Sequence, residues 1–147
     1  MVAETEVNPT ENRERVKEAL TSLFHGQVEF RGEPDNYGSA RLEGKGNEAL
    51  ARFRMILQRD RIRAAGRAQL FKGLEGNRIV VFLNKQVAYA GHISFSAPEG
   101  ESPLGPIRLM IESDDAVWVI DWLTGGRDQP AWRQKRSVDS SRIEPQI

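Results

Sequence analysis

Arg59, Arg63 and Arg67 recur at every fourth residue. On an unbroken helix that spacing aligns three guanidinium forks along one ridge, and the chemistry they suit is pairing with successive phosphate oxygens and stacking on exposed bases. They belong to a stretch, residues 52–85, that holds nine cations (Arg52, Arg54, Arg59, Arg61, Arg63, Arg67, Lys72, Arg78 and Lys85) against only Asp60 and Glu75. The whole chain of 147 residues nevertheless balances 21 basic side chains against 21 acidic ones. Charge sorted in this way is a footprint that a polyanion such as RNA can use. Arg52 and Lys72 add to the basic surface, and Lys45, in Gly44-Lys45-Gly46-Asn47 ahead of a helix, offers a single phosphate contact beside Arg52. That motif lacks the length and the terminal Lys-Ser/Thr of a nucleotide-binding loop, and a strand-to-helix turn explains it without a ligand. The competing explanation of the arginines is a solvated helix face on which Asp60 pairs locally.

Catalytic chemistry has less support. His25 and His92 have no nucleophile at a motif spacing, and the chain has no cysteine. Glu112, Asp114 and Asp115 are the best acidic cluster, two of them on one side of an extended segment where Mg²⁺ could be recruited, but helix capping accounts for Asp114 or Asp115 without metal. Glu99 and Glu101 lie among Pro and Ser, where solvation suffices. The expectation is therefore a non-catalytic protein with no cofactor and no metal site.

Strands and helices alternate along the chain. Residues 2–7 suit a strand; Asn8-Pro9-Thr10 supplies a turn and a Thr cap to a helix carrying Val16, Ala19, Leu20, Leu23 and Phe24, which Gly26 ends. Residues 27–31 alternate weakly and residues 39–43 form a second candidate strand. Asn47 caps a helix with the stripe Ala49, Leu50, Phe53, Ile56 and Leu57, Asp60 is a candidate break, and a third helical segment covers residues 61–74 around Gly66. Residues 79–83, an unbroken apolar run, read as a central strand covered on both faces. Residues 84–90 are open between a short helix and a turn, residues 93–96 alternate, residues 97–106 form a loop, and residues 107–111 form another strand. Ser113-Asp114-Asp115 caps a last helix over residues 116–123 whose one charge is Asp121. A helix so apolar must be covered on more than one side. Trp118 and Trp122 are accordingly candidates for a subunit interface, with burial inside one chain as the alternative.

This pattern describes an α+β domain over residues 1–124, mostly antiparallel sheet with helices on one face, followed by a polar tail over residues 125–147. In the tail, Trp132 with Arg133, Lys135 and Arg136 forms a small basic aromatic cluster. No apolar run approaches a bilayer span and the first residues do not read as a secretory signal, so the expected location is the cytoplasm. Phe82 and Phe95 sit in strands that look buried, and Tyr37 and Tyr89 read as half-buried, which favours RNA shape over base sequence.

Three groups of residues together resemble an archaeal protein family described as RNA-binding and as a predicted exosome subunit. They are Glu75-Gly76-Asn77-Arg78-Ile79 through Phe82-Leu83-Asn84-Lys85-Gln86, then Pro103-Leu104-Gly105-Pro106-Ile107 followed by Glu112-Ser113-Asp114-Asp115, and the early Pro9-Thr10-Glu11. The resemblance covers residues 1–123 and implies a fold similar to the ribosomal protein that binds 5S RNA, in a family that forms dimers. It implies no established activity and assigns no functional residue. The reading that combines both lines is a homodimer that binds RNA through Arg52, Arg59, Arg63, Arg67, Lys72 and Lys45. Its alternative is a protein-interaction or assembly module whose apolar Trp118/Trp122 helix matters more than the arginines.

Overall fold

Alternation of small or branched residues with charged ones builds a single sheet with one dry face. The computed structural model describes residues 1–33, 36–97 and 104–125. Its strands are β1 (Val2–Val7), β2 (Gln27–Arg31), β3 (Gly38–Glu43), β4 (Leu74–Glu75), β5 (Arg78–Asn84) and β6 (Pro106–Glu112), in the order β2-β3-β1-β6-β5-β4. Every pairing is antiparallel. Ala3 and Val7 of β1, Ala40 and Leu42 of β3, Ile107, Leu109 and Ile111 of β6, and Ile79, Val81 and Leu83 of β5 all point into one core. Helices α1 (Arg13–Leu23), α2 (Gly46–Ala49), α3 (Ala51–Arg59), α4 (Arg63–Lys72), α5 (Lys85–Tyr89) and α6 (Ala116–Thr124) complete the architecture. Val16, Leu20, Leu23, Phe53, Leu57, Leu70, Ile120 and Leu123 supply their side of the core. The α+β class with an antiparallel sheet and helices on one face is what the periodicities predict.

The opposite face carries charge. Glu4 accepts from Arg41 at 3.4 Å and lies 3.5 Å from Arg108, while Arg41 also meets Glu43 at 2.9 Å. Beside this ladder Val80, Phe82 and Met110 are half-buried. The expectation that residues 79–83 are covered on both faces is therefore corrected. Burial in β5 alternates, and Phe82 lies on the face away from the helices. Nor is β5 central, since β1 and β6 hold the middle and β5 is bordered outside by the two-residue β4. An uninterrupted apolar run has no period of its own, so it cannot report a single buried face.

Cap positions differ from expectation as well. Asn12, not Thr10, caps α1: its side chain accepts from Glu14 N–H at 2.8 Å and Arg15 N–H at 3.2 Å. Asn47 lies inside α2, which Lys45 precedes without a side-chain cap. Asp115 does cap α6, accepting from Trp118 N–H at 3.1 Å.

The chain breaks at Asp60, the candidate break in the sequence, so the ridge that an unbroken helix through Arg59, Arg63 and Arg67 would make does not form. Asp60 ends α3, and Arg61 turns the chain with φ 59 before α4 begins. Ile62 N–H reaches back to Leu57 O at 3.0 Å, the bond of a Schellman closure, and Ile62 packs on the core. Arginine in this left-handed position costs about 1 kcal/mol relative to glycine. Gly66 is tolerated inside α4 because a Cβ there would stand 3.2 Å from Leu57 Cδ2; the glycine lets α4 approach α3 closely. The tail expected over residues 125–147, its Trp132 cluster, and the loop acids Glu99 and Glu101 lie outside the described residues, Gly125 excepted.

Candidate nucleic-acid interface

Most of the cations in residues 52–85 are tied to the helical layer or the sheet. Arg52 donates to the Thr21 carbonyl and so joins α3 to the end of α1. Arg54 donates to Trp122 O at 2.8 Å while its guanidinium lies 5.3 Å from the centre of the Trp122 ring. Arg67 bonds Asp121 at 2.7 Å and stacks over Phe71 at 4.9 Å. Arg78 pairs with Glu112 at 2.9 Å. Arg63 and Lys72 form no ion pair among the described residues, and Lys45 is exposed ahead of α2.

Arg59 is the hub of a corner. Its Nε donates to Asp60 at 3.0 Å and its Nη2 to Gly91 O at 2.9 Å, and the same Nη2 is 3.2 Å from His92 Nδ1, which itself lies 2.8 Å from Asp60. Arg59 and His92 both approach one carboxylate, that of Asp60. The bond from Arg59, then that from His92, holds the Asp60 carboxyl below its ordinary range, and Asp60 raises Arg59 in return. Because Asp60 and Arg61 interrupt the helix, Arg59 and Arg63 stand on different helices and the three arginines do not form one ridge.

Trp118 and Trp122 stack on each other, centroids 6.2 Å apart and planes 8° from parallel. Trp118 is 3% exposed and belongs to the core of its own chain, while Trp122 is half-buried under Arg54. Trp118 Nε1 has no hydrogen-bond partner among the described residues. Tyr37, expected to be half-buried, is 71% exposed, whereas Tyr89 is half-buried. The acids weighed for metal are engaged otherwise: Glu112 with Arg78, and Asp115 with the first turn of α6. Among the described residues no three acidic or His side chains are grouped to hold an ion.

Lys85 does not belong to the basic surface at all. It is 0% exposed and its ammonium reaches Glu6 O at 2.6 Å, Leu104 O at 2.8 Å and both Glu11 oxygens at 3.1 and 3.2 Å. Glu11 also accepts from Asn8 N–H at 2.9 Å and from the Tyr89 hydroxyl at 3.2 Å. Burial pushes Glu11 up, but the Asn8 backbone and Lys85 outweigh it and hold the carboxyl below its ordinary value. Burial pulls Lys85 down against the attraction of Glu11. Burial and the nearby Glu11 charge push the Tyr89 phenol up to about 12. The segments around Glu11, Lys85 and Leu104, far apart in the chain, thus meet at one ammonium.

A family model described as RNA binding matches residues 1–113. A UPF0201 protein of Sulfurisphaera tokodaii is 38% identical over 135 residues, covering 90% of this chain and 92% of its own. Another, of Metallosphaera sedula, is 35% identical over 137 residues, covering 90% and 93%. The crystal structure of the UPF0201 protein of Methanococcus jannaschii superposes with a TM-score of 0.74 at 25% identity, over 87% of this chain and 93% of that one. The fold and the relatives agree from one end of the described domain to the other, and the chain belongs to this archaeal UPF0201 family, whose model is described as RNA binding.

Proposed function

We propose that this protein binds RNA without catalysing a reaction on it, meeting backbone phosphates with the cations of its helical layer. The family match over residues 1–113 carries the reading. The side chains we assign to contact are Arg52, Arg63, Lys72 and Lys45, supported by their freedom from carboxylate partners among the described residues, with Arg59 and Arg67 contributing from their anchored positions. Guanidinium forks suit phosphate oxygens, and contact through the backbone is largely indifferent to sequence. The cytoplasm, where RNA is abundant, is the location this reading requires. Fluorescence-anisotropy titration with structured RNA, single-stranded RNA and duplex DNA across a salt series tests it. Binding that prefers RNA and falls steeply with salt supports it; weak, equal binding to all three overturns it.

A second reading, a homodimeric assembly module, draws support from apolar side chains on the helical layer: Met55 and Val117 are exposed and Trp122 is half-buried. Sedimentation equilibrium of the wild-type chain and Val117→Asp, read beside the RNA titration, separates the two readings. A dimer lost on that substitution in a chain that shows no preference for RNA favours assembly.

A further inference from the structure

We infer that Arg61, projecting from the corner between α3 and α4, contacts a backbone phosphate of bound RNA; this rests on the RNA-binding reading above. The corner demands a left-handed residue. Asp60 N–H bonds Ile56 O at 2.8 Å, Arg61 N–H bonds Gln58 O at 3.2 Å and Ile62 N–H bonds Leu57 O at 3.0 Å, a set that closes only with φ near the 59 of Arg61. Elsewhere among the described residues the chain meets this demand with glycine, at Gly32, Gly46, Gly76, Gly91 and Gly105. Arg61 is the exception, a long β-carbon side chain in a conformation that L-residues avoid.

Nothing within the described fold rewards the choice. Arg61 is exposed and its side chain makes no hydrogen bond, ion pair or ring contact among the described residues. The adjacent acid is already occupied, since Asp60 takes bonds from Arg59 and His92. Arg59 also ties the corner to Gly91 O, so the turn that carries Arg61 is held in place. Arg63, two residues on, opens α4, whose first turn has no acidic residue, and a cation there is opposed by the helix dipole. Two neighbouring arginines, Arg61 exposed and Arg63 half-buried, thus occupy positions that local preferences argue against, and neither has an ion-pair partner among the described residues. A residue kept against conformational cost points to a role outside folding. The chemistry that would use it is a phosphate anion, met by a planar fork. One exposed guanidinium holds a free ion poorly, whereas in a polynucleotide its contact adds to those of Arg52, Arg63 and Lys72.

The test compares wild type, Arg61→Gly and Arg61→Lys in anisotropy titrations with a labelled mixed-sequence RNA hairpin across a salt series, alongside thermal melts. Arg61→Gly is expected to melt about 2 to 5 °C higher, because the strain is relieved. It should also bind about three- to tenfold more weakly at low salt, with the log–log salt slope reduced by about 0.7 to 0.9. Arg61→Lys should keep the slope without the gain in melting temperature. Wild-type affinity and slope in Arg61→Gly would overturn the inference while leaving RNA binding intact. Weaker binding joined to a lower melting temperature would assign Arg61 to the fold and overturn it, as would loss of slope in Arg61→Lys. No RNA binding by the wild-type chain would remove the underlying reading and this inference together.

Discussion

The Lys85 ammonium lies 3.1 Å from the Glu11 carboxylate, across 74 residues of sequence, and both side chains are withdrawn from water. Three acceptors, Glu6 O, Leu104 O and Glu11, saturate the three N–H bonds of Lys85. Removing one partner leaves the other charged and buried. Lys85→Met is therefore expected to destabilise the protein by about 3 kcal/mol in urea unfolding, and Glu11→Gln by somewhat less because Lys85 keeps its two carbonyls. The double change Glu11→Gln with Lys85→Met should cost less than the sum of the two single changes, because it leaves no unpaired buried charge. Additive losses in the double variant would contradict the pairing.

The acid limb of stability follows from Glu11 and Asp60, both held below their ordinary values. A depressed carboxyl binds fewer protons folded than unfolded, so its contribution is present above the unfolded pKa of about 4 and disappears as pH falls through the folded one. Chemical denaturation between pH 6 and pH 3, on the order of this window, should show falling stability with a shallower fall in Glu11→Gln. Equal slopes would remove Glu11 from the account.

At the alkaline end Tyr89 acts in the opposite sense. Its phenol is pushed up to about 12, so the folded state keeps the proton that the unfolded chain loses near pH 10, and this contribution is present below about 10 and lost as pH rises towards 12. The chain has two tyrosines, Tyr37 and Tyr89. In a Tyr37→Phe variant, phenolate absorbance should rise with a midpoint near 12. A midpoint near 10 would mean that neither burial nor Glu11 acts on the hydroxyl in solution.

For RNA, the structure redistributes the expected effects of mutation. Arg63→Glu with Lys72→Glu should reduce the log–log salt slope by about 1.5 to 2 and weaken binding to every RNA alike. Arg78→Ala, whose partner Glu112 sits opposite it on the neighbouring strand β6, is the control and should leave the slope unchanged. If the control moves as much as the double variant, contact is not confined to the helical layer.

Where sequence reading succeeded and failed has physical causes. Strands β1, β3 and β6 were legible because one of their faces is wet and the other dry, giving a period of two. The break at Asp60 is legible, but the left-handed turn that makes it is not: Arg59-Asp60-Arg61-Ile62-Arg63 contains neither Gly nor Pro, and a left-handed arginine leaves no compositional sign. Lys85 was counted among surface cations because nothing near it in sequence reveals an acid that arrives from 74 residues away. Thr10 and Asn12 are both capping types, and only coordinates distinguish them.

The strand order also bears on how the chain is made. β6 joins β1 on one side and β5 on the other, and it is the last strand of the six to be synthesised. Until it emerges, β2-β3-β1 and β5-β4 are two half-sheets with no ladder between them, one with an open edge along β1 and the other along β5. A nascent chain of this protein thus carries two open edges between the completion of β5 and the arrival of β6, and closure by β6 is the step that ends the hazard of unwanted strand pairing.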